Sequence, residues 1–142
     1  MRWVTRERPK VDRIACPWLV QRFIDPDAEF LYVHRDDVMR IASELEGTPY
    51  DVPDVELGHH GEQCSFDAFL QRFQLTDPAL HRLANIVRGA DTGRVDLAPE
   101  AASHYAMSSG LSRTFTNGHE QLRYGMLRYD ALCVWCKHHA HA

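Results

Sequence analysis

The stretch that decides the fold is RWVTRERPKVDRIACPWLVQRFIDPDAEFLYV, residues 2–33. Arg2 to Arg6 reads as a short strand, and Glu29 to Val33 as a second, richer in aromatic and apolar residues. Between them Cys16, Leu19, Val20 and Phe23 recur at helical spacing, and Asp25-Pro26 closes that stripe. Working outward, Val38, Ile41, Ala42 and Leu45 predict a second helix, started by Asp36 or Asp37 and stopped by Gly47. Tyr50 and Val52 suggest a third strand. A β-α-β-α-β order favours a small parallel sheet with right-handed crossovers. The fold class expected is α/β to α+β.

The rest of the chain is helical in pattern. Residues 1–53 form the expected β-α-β-α-β portion and 54–142 a mainly helical portion of one 142-residue domain. Phe66, Phe69, Leu70 and Phe73 make one stripe, and Asp77-Pro78 opens another through Leu80, Leu83, Ala84 and Val87 to Gly89. Pro99 is expected to open a helix burying Ala102, Tyr105, Ala106 and Ser109. The last stripe is Leu122, Met126, Tyr129, Cys133 and Cys136.

With 44% apolar and 25% charged residues and a formal charge of −4, the chain has no basic surplus for nucleic-acid binding. No apolar run is long enough for a membrane span, and Met1-Arg-Trp-Val-Thr-Arg6 lacks a signal-peptide core, so a cytoplasmic location is expected. In that compartment Cys16, Cys64, Cys133 and Cys136 read as thiols, ligands or core fillers rather than disulfides. Three of the nine histidines fall in the Lys137-His-His-Ala-His-Ala142 tail, which is expected to fray. Self-association into a homo-oligomer is left open.

Two clusters carry chemistry. Arg8, Lys10 and Arg13 make a basic loop suited to a small oxyanion, with Asp12 among them. Glu56-Leu-Gly-His-His-Gly-Glu-Gln-Cys64 gathers a carboxylate, two imidazoles and a thiol, which suits a transition metal. Adjacent residues point apart, so only one of His59 and His60 is expected to face inward. Cys64 reads either as a ligand or as the cap of the Phe66 helix. In a parallel sheet all loops leaving the strands' C-terminal ends share one edge, which would bring Arg13, His34, Arg35 and the His-His loop together.

Several residues keep two readings. Cys16 is either a helix-terminal, reactive thiol near Arg13 or the first member of a buried stripe with Pro17 inside the helix. His119 is a third imidazole or a core histidine, with Glu120 beside it. Asp91 follows the end expected for its helix and is a candidate carboxylate or a turn former. Arg88 is an anion contact or a partner of the helix terminus. Cys133-Val-Trp-Cys136 and the tryptophans Trp18 and Trp135 read as core.

The chain resembles the C-terminal domain family of the bacterial chromate-resistance protein ChrB. The resemblance rests on residues 8–19, Phe23-Ile-Asp-Pro-Asp-Ala-Glu-Phe30, Glu56-Leu-Gly-His-His-Gly61, Cys64-Ser-Phe66, Ile86-Val-Arg-Gly-Ala-Asp91, Asp96-Leu-Ala-Pro-Glu-Ala101, Gly110-Leu-Ser-Arg113, His119-Glu120 and Tyr129-Asp130-Ala131. It implies a part in chromate resistance. It also implies kinship with a chromate-responsive regulator, whose N-terminal half has no counterpart in this sequence, so DNA binding is not expected of the domain alone. No catalytic residue set carries over. The leading expectation is a metal-binding domain handling an oxyanion or a reactive oxygen species such as superoxide. Iron, manganese or zinc would be held by His59, His60 and His119 with Asp91 or Glu56, and Arg8, Lys10, Arg13 and Arg88 would attract the anion. The rivals are a non-catalytic chromate or sulfate sensor that engages a regulatory partner, and a thiol-dependent redox enzyme using Cys16 with Arg13.

Overall fold

The computed structural model describes residues 1–139. Strand β1 (Arg2–Arg6) lies between β2 (Glu29–Val33) and β3 (Thr48–Pro49), and both neighbours run parallel to it. Helix α1 (Asp12–Phe23) joins β1 to β2, and α2 (Val38–Glu44), entered through a single 3₁₀ turn, joins β2 to β3. The β-α-β-α-β order is therefore the one observed. The third strand is shorter than expected and ends before Tyr50, because the chain leaves the sheet into an irregular segment up to α3.

In the strand order 2-1-3 the second crossover runs back over the first. Connections of one hand then place α1 and α2 on opposite faces. The core divides accordingly. Trp3 packs with α1 on the larger side, while Val4 packs with Val38, Ala42 and Val52 on the smaller. Successive residues of a strand face opposite ways, so an apolar Trp3-Val4 pair is what a central, doubly covered strand requires.

Helices α3 (Ser65–Arg72), α4 (Pro78–Thr92), α5 (Ala101–Thr114) and α6 (Gly118–His138) complete the larger side. The α3, α4 and α6 stripes bury as read, except that Phe73 and Met126 are only partly covered. Phe23, read as part of the α1 stripe, is 39% exposed at the end of that helix, and three further readings change. Helix α4 continues past Gly89 to Thr92 and ends on Gly93 in the left-handed conformation, so Asp91 belongs to its last turn. Helix α5 buries Ala101, His104 and Ser108, leaving Ala102, Tyr105 and Ala106 outward, because its inner face is set by His104 meeting Tyr129. Trp135 is 43% exposed rather than core; its indole N–H donates to Glu100. Lys137 and His138 close α6, and the part of the expected fraying that concerns 140–142 lies outside the described residues. Among the described residues no helix is long and apolar enough to cross a membrane.

Pro17 sits inside α1, which removes the amide that would bond the Arg13 carbonyl four residues back. Tyr32 on β2 donates its hydroxyl to that carbonyl at 2.6 Å. The helix thus tolerates its proline and Cys16 lies wholly within the core. From α6, Gln121 donates to the Pro9 carbonyl at 2.8 Å, fixing the loop between β1 and α1.

Candidate metal and anion site

With strand order 2-1-3, the reversal falls between β1 and β3, and ligands of open parallel sheets bind beyond the strands' C-terminal ends at that point. Three aspartates converge there on one imidazole. His59 Nε2 lies 2.9 Å from Asp91 Oδ2, 3.4 Å from Asp51 Oδ1 and 3.5 Å from Asp12 Oδ2.

Each carboxylate comes from a different element. Asp12 opens α1 and is fully buried, and its Oδ2 accepts the backbone N–H of Ser65 at the start of α3 (2.8 Å). Two helix N-termini therefore face one carboxylate, the favourable polarity. Its Oδ1 is buried without any partner. Asp51 follows β3 at a φ of 52°, a region aspartate tolerates, and accepts the Ser65 hydroxyl at 2.6 Å. Asp91 sits in the last turn of α4, where a carboxylate opposes the helix dipole. His59 reaches inward from the loop, and Gly58 beside it approaches so closely that a Cβ would meet the Val52 carbonyl oxygen at 2.9 Å.

Titration behaviour follows from this crowding. Hydrogen bonds to Asp12, Asp51 and Asp91 push His59 up to about 12. Burial, then the charge of Asp91, push Asp12 well above the carboxylate range. Asp12 and His59 therefore hold on to their protons, and a metal ion bound there would have to displace them. The geometry of the cluster fits such an ion. Ligand atoms about 2.1 Å from a common ion lie about 3.0 Å apart in octahedral and about 3.4 Å apart in tetrahedral coordination, and the three His59 distances bracket that range. Asp12, His59 and Asp91 each offer an atom within 4.8 Å of the others, and Asp51 stands beside them.

A cavity of about 600 Å³ adjoins the cluster, lined by Arg6, Lys10 and Arg13 as well as Asp51, His59 and Asp91. The Nε atoms of Arg6 and Arg13 are buried without a hydrogen bond; Arg13 Nε has only an ion-pair contact with Asp51 Oδ2 at 3.5 Å. Lys10 Nζ stands 5.6 Å from the centre of the Tyr105 ring. Beyond His59 a second cavity of about 390 Å³ is bounded by Arg6, Asp51, Val52 and Pro53.

The other residues singled out in the sequence stand elsewhere. His60 is exposed and bonds the Glu56 carbonyl at 2.7 Å, while the Glu56 carboxylate pairs with Arg72 at 2.8 Å. His119 is exposed rather than inward, its ring edge-on to Tyr32 at 5.4 Å, and Glu120 is exposed beside it. The set of three imidazoles and one carboxylate therefore does not assemble. Arg88 is committed to Asp67 (2.7 Å) and Asn85 (2.6 Å), so it is no anion contact, and Arg8 does not line the cavity. Cys64 caps α3, where Asp67 accepts its N–H at 3.0 Å. Burial pushes the Cys16 and Cys64 thiols well up, which removes the reactive reading of Cys16. Cys133 and Cys136 are free and buried in α6.

Sequence reading missed Arg6, Asp51 and Tyr105 as site residues, and placed Asp12 in the basic loop without making it a candidate ligand. Arg6 and Asp51 had a usable signal, since Arg6 ends β1 and Asp51 lies in the loop that leaves the C-terminal end of β3. Tyr105 gave none, having been assigned to the wrong face of its helix.

The sequence model described as ChrB, C-terminal domain, matches residues 3–136. The chain belongs to the ChrB C-terminal domain family. Protein ChrB of Cupriavidus metallidurans is 35% identical over 116 residues, covering 81% of this chain and 34% of its own length, so the chain spans about a third of that ChrB protein. No solved structure matches the chain. Within this ChrB-family domain, the segments that carried the resemblance include Asp12, Arg13, His59 and Asp91, whereas Arg6, Asp51 and Tyr105 fall outside them.

Proposed function

We propose that the domain takes part in chromate resistance by holding a divalent cation on Asp12, Asp91 and His59, with Asp51 beside them, and capturing an anion against Arg6, Lys10 and Arg13. The observation that carries this reading is the buried, unpartnered Asp12 Oδ1 within a group of three carboxylates around one imidazole. A cation relieves the repulsion among the carboxylates and the mismatch of Asp91 with its helix terminus. Two carboxylate donors and one imidazole, with a third carboxylate beside them, favour manganese, iron(II) or zinc over copper. Binding is the activity proposed. The single imidazole gives a superoxide-dismuting centre of three histidines no support, and the buried cysteines give a thiol mechanism none.

The test is metal content after purification without a histidine tag, in medium supplemented with manganese, iron and zinc. Wild type and His60→Ala should each carry about one ion per chain, and Asp12→Asn and His59→Ala at most a tenth of that. Equal metal in all four proteins, or none in any, overturns the reading.

A further inference from the structure

The cavity beside the cluster is larger than an inorganic oxyanion requires. A tetrahedral oxyanion occupies the space of two or three waters, under about 100 Å³. The cavity measures about 600 Å³, within the range of sites for organic ligands. Its lining is also mixed. One part is charged, with the Nε atoms of Arg6 and Arg13, buried without a hydrogen bond, together with Asp51, His59 and Asp91. The other part includes Val11, Ala90, Val95 and Tyr105. Val95 and Tyr105 are 49% and 45% exposed, so two largely apolar side chains of the lining are open to water. Lys10 also lines the cavity, its ammonium 5.6 Å from the centre of the Tyr105 ring.

We infer that the ligand of this site is an organic anion, its charged head on Arg6, Arg13 and Lys10 and its apolar or aromatic body against Tyr105 and Val95. The inference rests on the anion-capturing role proposed for the same cations. A bare oxyanion occupies only the charged part of the lining, so chromate would compete with the organic ligand for the head position. Tyr105 is the residue that would tell the two classes apart, because it touches the body and not the head.

The experiment is calorimetric titration of the manganese-loaded protein, with inorganic phosphate, methyl phosphate, phenyl phosphate and benzoate as probes. Phenyl phosphate or benzoate should bind about tenfold more tightly than inorganic phosphate and methyl phosphate. That factor corresponds to about 1.4 kcal/mol, the transfer of roughly 60 Å² of apolar surface from water. A benzoate preference would assign a carboxylate head and a phenyl phosphate preference a tetrahedral one; both support an organic ligand. Tyr105→Ala, at an exposed helix position, should abolish the aromatic advantage, so that phenyl phosphate and benzoate bind that variant no more tightly than inorganic phosphate does. If inorganic phosphate binds as tightly as every organic probe, the inference falls while the anion site stands. If no probe binds, the anion site falls with it.

Discussion

Lowering the pH from 7 to 4 should cost the fold roughly 3 kcal/mol through one residue, His104. Its imidazole is buried between α5 and α6, Nε2 lies 2.8 Å from the Tyr129 hydroxyl and Nδ1 lies 3.1 Å from an Arg128 guanidinium nitrogen. Arginine can only donate, so Nδ1 must accept and Nε2 carries the hydrogen. A second proton would set an N–H against the guanidinium. Burial first, and Arg128 second, hold His104 down at about 4. An unfolded histidine titrates near 6.5. The folded state therefore keeps His104 neutral while the unfolded chain takes up a proton. The stability this represents is present above pH 6.5 and is lost as pH falls toward 4. At about 1.4 kcal/mol per pH unit the loss reaches roughly 3 kcal/mol. Gln reproduces the acceptor and donor but cannot take up the proton, so His104→Gln cancels contributions common to both proteins. Urea unfolding of each at pH 7, 6, 5 and 4 is the assay. Wild type should lose about 3 kcal/mol more than the variant between the end points. A difference between the two proteins that stays constant within about 0.5 kcal/mol would refute the buried neutral imidazole.

Cys16, with no exposed surface and a thiol pushed well up by burial, should resist iodoacetamide at pH 8 in the native protein and react once urea unfolds it. Stoichiometric native labelling at Cys16 would restore the reactive-thiol reading. Gly89→Ala should destabilise by about 1–3 kcal/mol, because the added Cβ would lie 2.8 Å from both the Ala101 Cβ and the Arg94 carbonyl oxygen. Thermal denaturation should show a fall of several degrees, and an unchanged midpoint would mean that α4 and α5 pack less closely there.

Much of the fold was legible because its signals are local. The strands Arg2–Arg6 and Glu29–Val33 and the α3, α4 and α6 stripes follow from hydrophobic period alone. Helix α5 was misread because its inner face holds Ala101, His104 and Ser108, so polar contacts to α6, not apolar spacing, fix its rotation. The end of α4 was misplaced because Gly89 looked like a terminator, whereas it is small to admit Ala101 and the true stop is Gly93. The candidate site was legible only in outline. Parallel topology put the first and third loops on one edge, but which carboxylates meet His59 depends on four separate segments. Glu56 and His60 are near neighbours of His59 in sequence and turn outward; Asp12 and Asp91 are remote and turn in. His119 sits next to Gly118, which packs so tightly on Tyr32 that a Cβ would come within 2.7 Å of the ring, a constraint that spacing along α6 does not reveal.

A crystal grown with manganese and measured for anomalous scattering addresses the proposed metal centre without passing through activity. One anomalous peak should lie about 2.1 Å from His59 Nε2 and from carboxylate oxygens of Asp12 and Asp91, with Asp51 adjoining. A map with no peak among these side chains, or with its peak at His60 or His119 instead, would contradict the assignment.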